Sequence, residues 1–168
     1  PGVRYQQGSW LPEFQDTSGS TAGSNTERTA PAYWTRNGNQ VTVWGYLRLK
    51  DIGSLTGYSV VGNMPYGSER TQYSGFVSFY NTLAAGASYL SIETQDNYTN
   101  GEFGSNDQLL LRGTPESSSQ TGTQIMTYVG TTSGLGDDAS RLIGENTGTI
   151  FACTFLTDDR TFVPLNGA

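Results

Sequence analysis

Between two strand-like runs, Ala32–Arg36 and Gln40–Lys50, stands the dipeptide Asn37-Gly38, and no other feature limits the local fold so tightly. Asn-Gly flanked by alternating apolar residues is the strongest short-range signal for an antiparallel hairpin, because both central residues of a type I′ turn need positive φ. In the second arm Val41, Val43, Leu47 and Leu49 alternate with Thr42, Trp44, Tyr46 and Arg48. The two sets therefore leave the strand on opposite faces. A face turned to water should carry small polar residues. Trp44 and Tyr46 predict instead that this second face is covered by an N-terminal strand, a loop or another subunit.

The same pattern recurs along the chain. Period-two or compact apolar runs are bounded by Gly, Asn and Ser, and helical periodicity is almost absent. The segment Asn81–Ala87 is too short for a helix and is cut by Gly86. Strands are expected over 8–15, 29–36, 39–50, 57–62, 74–80, 88–95, 107–113, 123–130 and 149–157. That array predicts an all-β chain, an antiparallel β-sandwich of jelly-roll kind. Residues 1–168 are expected to form one domain, with 1–8 as a linker or lead-in strand and the start at Pro1 marking a fragment of a longer protein.

Composition excludes several classes. Charged residues are only 14% of the chain, yet 10 Tyr, 7 Phe and 3 Trp argue against disorder. The net charge is −6, and Lys50 is the single lysine among nine basic residues. Without a basic run, nucleic acid and anionic membrane surfaces are not expected partners. No apolar stretch is long enough to span a bilayer as a helix, so membrane insertion is not expected. Cys153 is the only cysteine, so no disulfide can form within the chain, and its apolar run Thr149–Phe155 predicts a buried structural thiol.

Catalytic signatures are equally sparse. There is no histidine, which removes Ser-His-Asp triads, Cys-His pairs and His-based zinc sites. No phosphate-cradling glycine motif sits between a strand and a helix, so no nucleotide cofactor is expected. Glycosidase chemistry needs only two carboxylates across a cleft. Glu93 with Asp96, and Asp137 with Asp138, are the obvious pairs, although acidic residues in turns commonly serve as Asx-turn formers. Asp96, Asn100, Gly101 and Asp107 match positions of a calcium loop, but Tyr98 stands where an oxygen ligand belongs. A Gly/Asn-rich loop is the simpler reading. Two loops combine aromatics with polar groups suited to sugars: Tyr66, Glu69, Arg70 and Tyr73 in one, and Asn97, Tyr98 and Phe103 in the other.

The segment Tyr5-Gln6-Gln7-Gly8-Ser9-Trp10-Leu11-Pro12 resembles the Y-[EQ]-[EQ]-G-[ST]-[WF]-x-P opening of the C-terminal domain of bacteriophage tail fibres and tailspikes. Tyr33–Val43 is similar to the Y-[ST]-[RK]-x-G-[NR]-x-V-x-[VF] strand that follows it there, with Trp34 where Ser or Thr is usual. Gly19–Gly23 is similar to the G-S-T-T-A-G segment of that family. Val61–Tyr66 looks like its [IV]-x-G-L-P-[FY] strand end, with Asn63-Met64 in place of Gly-Leu, and the tail Asp158–Ala168 is a departure. The resemblance implies a homotrimeric β-sandwich head at the virion's distal fibre tip. There it would bind a host surface glycan, lipopolysaccharide or capsule, without enzymatic activity. In that setting Trp10, Trp34, Trp44 and Tyr46 become structural or oligomer-interface candidates. Two rival expectations are a purely structural trimerisation cap and a polysaccharide hydrolase or esterase.

Overall fold

A computed structural model describes residues 4–16, 21–23, 26–27, 31–51, 55, 59–69, 73–80, 87–94, 107–115 and 147–165, with backbone alone at 27, 79–80, 87–90 and 112–115. Ten strands lie in this set: β1 (Tyr5–Trp10), β2 (Glu13–Asp16), β3 (Thr26–Glu27), β4 (Ala32–Asn37), β5 (Gln40–Leu49), β6 (Ser59–Gly62), β7 (Ser74–Tyr80), β8 (Ala87–Thr94), β9 (Leu109–Pro115) and β10 (Gly148–Leu156). All pair antiparallel. The described chain is therefore all-β, as its patterning predicts.

The strands form one sheet in the order β1-β4-β5-β10-β7-β8-β9-β6-β2, with β3 against β5. Its outermost strands, β1 and β2, are consecutive in sequence and separated only by Leu11-Pro12. Eight interstrand steps of about 4.8 Å would set the edges of a flat sheet about 38 Å apart. The link from Trp10 to Glu13 reaches only about 11 Å. The sheet must therefore curl, bringing its two edges together like the wall of a half-barrel. This also corrects the expected strand over 8–15. Pro12 lacks the N–H needed to continue a ladder, and the chain passes there from one edge of the sheet to the other.

The β4–β5 hairpin forms as expected, but its turn lies one residue further on. Asn37 pairs with Gln40, leaving Gly38-Asn39 as the central pair. Gly38 has φ 60 while Asn39 keeps a negative φ, the type II′ arrangement with glycine at the first central position. In β5 Val41, Val43, Leu47 and Leu49 are buried, and Thr42, Trp44, Tyr46 and Arg48 lie on the more open face.

The concave side holds the core: Phe14, Leu47, Leu49, Met64, Ile92, Leu109, Phe151 and Phe155 are among its members. Trp10 meets Phe151 edge-on, with centroids 6.0 Å apart, and Trp34 meets Tyr66 edge-on at 5.3 Å. Opposite Trp34 on β1 stands Gly8, where an added Cβ would approach the indole to 2.8 Å. Glycine thus provides the space in which the indole lies across the strand. Cys153 is buried in this core, which pushes its thiol up to about 12.

The segment following β10 is tied to the hairpin turn. Thr157 donates to the Asn39 carbonyl at 2.9 Å, and Leu165 donates to the Pro65 carbonyl at 2.6 Å. Arg36, fully buried, donates through Nε to the Gly38 carbonyl at 2.8 Å and through Nη2 to the Asp159 carbonyl. The tail that departs from the resembled family is thus anchored by a buried guanidinium.

Candidate functional site

The convex side of the sheet is defined by register. Ser9 of β1 pairs with Tyr33 of β4, Tyr33 with Trp44 of β5, Trp44 with Ala152 of β10, and Ala152 with Phe76 of β7. Alternation puts all five on the same face, so they form one row across five strands. Tyr33 is 44% exposed, Trp44 37% and Phe76 64%. The Tyr33 and Trp44 rings lie 6.0 Å apart with planes tilted by 33°. A parallel row runs through Gln7, Thr35, Thr42 and Thr154, the last two joined by a hydroxyl contact of 2.9 Å.

Two hollows flank this row. One of about 430 Å³ is lined by Gln7, Gly8, Ser9, Tyr33, Trp34, Thr35 and Trp44. The other, of about 410 Å³, is lined by Ser74, Gly75, Phe76, Val77, Ala152, Cys153 and Thr154. Neither lining contains an Asp, Glu, Lys or Arg. Such hollows can offer aromatic faces, amides and hydroxyls, but no acid, base or ionised nucleophile. The chemistry they suit is recognition of an uncharged polar surface.

The sequence candidates are distributed differently. Tyr66 is fully buried against Trp34, its hydroxyl donates to Gln6 Oε1 at 3.0 Å, and its ring lies 4.5 Å from the Arg36 guanidinium. Burial pushes its phenol above the ordinary value, only partly offset by Arg36. The expectation that Tyr66 stacks on a ligand is therefore corrected: a ring with no accessible face holds the core together. Tyr73 donates its hydroxyl to Glu69, and this bond, more than burial, raises the Tyr73 phenol. Glu69 and Tyr73 are thus brought together, half-buried, with each occupying the other's polar group. Arg70, Asn97, Tyr98 and Phe103 lie outside the described residues, as do Asp96, Asn100, Asp137 and Asp138. Of the calcium-loop candidates Asp107 is described, and its carbonyl accepts from the Met64 N–H at 3.2 Å. Among the described residues no three acidic or thiol side chains converge.

The four structural candidates divide in two. Trp10 and Trp34 are buried in the core, whereas Trp44 is exposed on the convex face and Tyr46 is half-buried beside it. The cover expected over Trp44 is not supplied by β1, which extends the sheet edgewise next to β4. Sequence reasoning missed Gln7, Ser9, Tyr33 and Phe76. The register would have revealed Tyr33, because counting back from an Asn37–Gln40 pair sets it opposite Trp44. A comparison with protein-family models finds no match to this chain, and a comparison with curated proteins finds none either.

Proposed function

We propose that this chain is a non-enzymatic recognition domain from the distal end of a phage tail fibre or tailspike, which binds a host surface polysaccharide through the convex face of its sheet. The carrying observation is the uncharged row of Ser9, Tyr33, Trp44, Ala152 and Phe76, exposed except at the half-buried Ala152 and flanked by hollows. Aromatic faces bind the C–H faces of sugar rings, while Gln7, Ser9, Thr35 and Thr154 offer partners for hydroxyls. The phage context rests on the ordered motifs from Tyr5 to Tyr66. A supporting detail is Asn63, which holds φ 65 where the resembled pattern has glycine. Asn is among the few residues that tolerate this conformation.

The jelly-roll sandwich and the homotrimer belong to the same proposal, with the virion's distal tip as the location. Three weak sites on one fibre reinforce one another through effective concentration. The test is binding of the isolated chain to a glycan array and to intact bacteria of several capsule and lipopolysaccharide types. Binding to a glycan and to the cells that display it supports the reading. Absence of binding in both assays refutes it.

A second reading, a trimerisation cap without receptor contact, is favoured by Phe76 and by Ile150, 64% and 49% exposed on the β7–β10 half of the same face. Exposed apolar groups so placed are typical of subunit contacts. Both readings expect a trimer, so sedimentation equilibrium discriminates them only together with the glycan array. A trimer that dissociates on Phe76→Ser or Ile150→Ser, combined with no glycan binding by wild type, favours the cap.

A further inference from the structure

The hollow between β1, β4 and β5 has a chemistry that narrows the ligand. Its side chains are two tilted aromatic rings, Tyr33 and Trp44, with the carboxamide of Gln7 and the hydroxyls of Ser9 and Thr35 along one side. At about 430 Å³ it lies in the range of small-molecule sites. No ionised group lines it, so a carboxylate, sulfate or phosphate placed there would lose water without gaining a counter-charge. The chain's net charge of −6 adds long-range repulsion against an anionic polymer. A cationic amino sugar would find no carboxylate in the lining. On the whole convex surface of β1, β4, β5 and β10, alternation leaves Arg48 as the one charged side chain, two positions beyond Tyr46.

We infer that this hollow is a subsite for a neutral pyranose unit of a polysaccharide, stacked on Trp44 and Tyr33 and hydrogen-bonded by Gln7, Ser9 and Thr35. The inference rests on the proposed glycan-binding function and specifies both its place and its ligand class. Trp44 supplies the ring face and Tyr33 the tilted second wall. Gln7 offers its Nε2 as donor, and its Oε1, which accepts from the Tyr5 hydroxyl at 3.0 Å, keeps a second lone pair for a vicinal sugar hydroxyl. The row continues through Ala152 to Phe76, so a chain of sugars laid across the strands would reach the second hollow.

The test is a glycan array of neutral oligosaccharides (gluco-, galacto-, manno-, rhamno- and N-acetylhexosamine series) beside uronate-, sialate- and phosphate-bearing counterparts. Wild type, Trp44→Ala, Tyr33→Phe and Gln7→Ala are compared on it. Their tryptophan fluorescence is followed on titration with the best neutral binder, and circular dichroism checks folding. Neutral saccharides are expected to bind, Trp44→Ala to weaken them roughly tenfold or more, and Tyr33→Phe to retain most of the affinity. Binding of anionic saccharides alone overturns the ligand class. Undiminished binding by Trp44→Ala overturns the subsite while leaving glycan recognition standing. Failure of wild type on every saccharide overturns both. A wild-type trimer that becomes monomeric on Trp44→Ala assigns the hollow to a second copy of the chain and overturns the inference.

Discussion

The guanidinium of Arg36 lies 3.8 Å from the ring centroid of Phe162, joining the β4 strand to the C-terminal segment. Tyr66 stands 4.5 Å from the same cation, and Phe162 adopts φ 56, a left-handed conformation unusual for a bulky residue. A desolvated cation between aromatic rings contributes about 2 kcal/mol, and its hydrogen bonds to carbonyls add to that. Arg36→Leu is therefore expected to destabilise the chain by about 2–4 kcal/mol. It should also make the bond after Arg160 accessible to trypsin. Urea unfolding and a proteolysis time course check this; a wild-type midpoint and cleavage pattern would show the clamp to be dispensable.

Gly8 tests the packing behind the candidate site. A Cβ there would come within 2.8 Å of Trp34 Cε2 and Nε1. Overpacking of this kind typically costs about 1–3 kcal/mol. Gly8→Ala should lower the melting midpoint by several degrees, about 2–4 °C per kcal/mol for a chain of this size. An unchanged midpoint would mean that the indole has another place to go.

Two tryptophans on adjacent strands should respond oppositely. Trp34 is in the core, so Trp34→Ala is expected to cost about 3–5 kcal/mol. Trp44 faces outward, and Trp44→Ala removes mainly a cross-strand contact with Tyr33, about 1 kcal/mol or less. Calorimetry of the two variants reads the difference directly. Equal losses would place Trp44 in a packing role.

Stability should hold constant near neutrality and fall at alkaline pH. Burial pushes the Cys153 thiol from 9.0 up to about 12. The Tyr66 phenol is raised by burial, and that of Tyr73 by its bond to Glu69. A group whose folded pKa is raised contributes stability that is complete below its unfolded pKa and is lost as pH climbs through the folded one. Asp159 has the opposite sign. Burial raises its carboxyl, but the Thr161 bonds and Arg36 together hold it below the ordinary value. Its contribution is present above the ordinary carboxylate range and is lost as pH falls through the depressed pKa. The urea midpoint should be flat around neutrality and decline above about pH 9, where Cys153 remains resistant to alkylation until the chain unfolds. A midpoint that rises in alkali would contradict these assignments.

The strands were legible because alternation is a local property. Val41 through Leu49 show it in consecutive residues, and the structure buries one set and opens the other. Pro12 carried a second legible signal, since a proline cannot sit inside a ladder, yet the apolar character of Trp10, Leu11 and Phe14 masks the break. The candidate site was harder to find because it is a property of register. A turn centred on Asn37-Gly38 pairs Arg36 with Asn39 and sets Tyr33 opposite Thr42. The observed Gly38-Asn39 turn sets it opposite Trp44. One residue at the turn therefore separates an aromatic beside a threonine from an aromatic pair. Arg36 was invisible for another reason: a charge in a strand reads as solvent-facing, and its burial rests on Tyr66 and on Phe162, which returns from the far end of the chain.

Recognition of a sugar on the convex face is tested most directly by a crystal structure of the chain soaked with a neutral oligosaccharide that binds it on the array. The account predicts a pyranose ring stacked on Trp44, with Tyr33 beside it and Gln7 within hydrogen-bonding reach. A sugar seated on the loops at the ends of the strands, or a convex face occupied by a second copy of the chain, would contradict it.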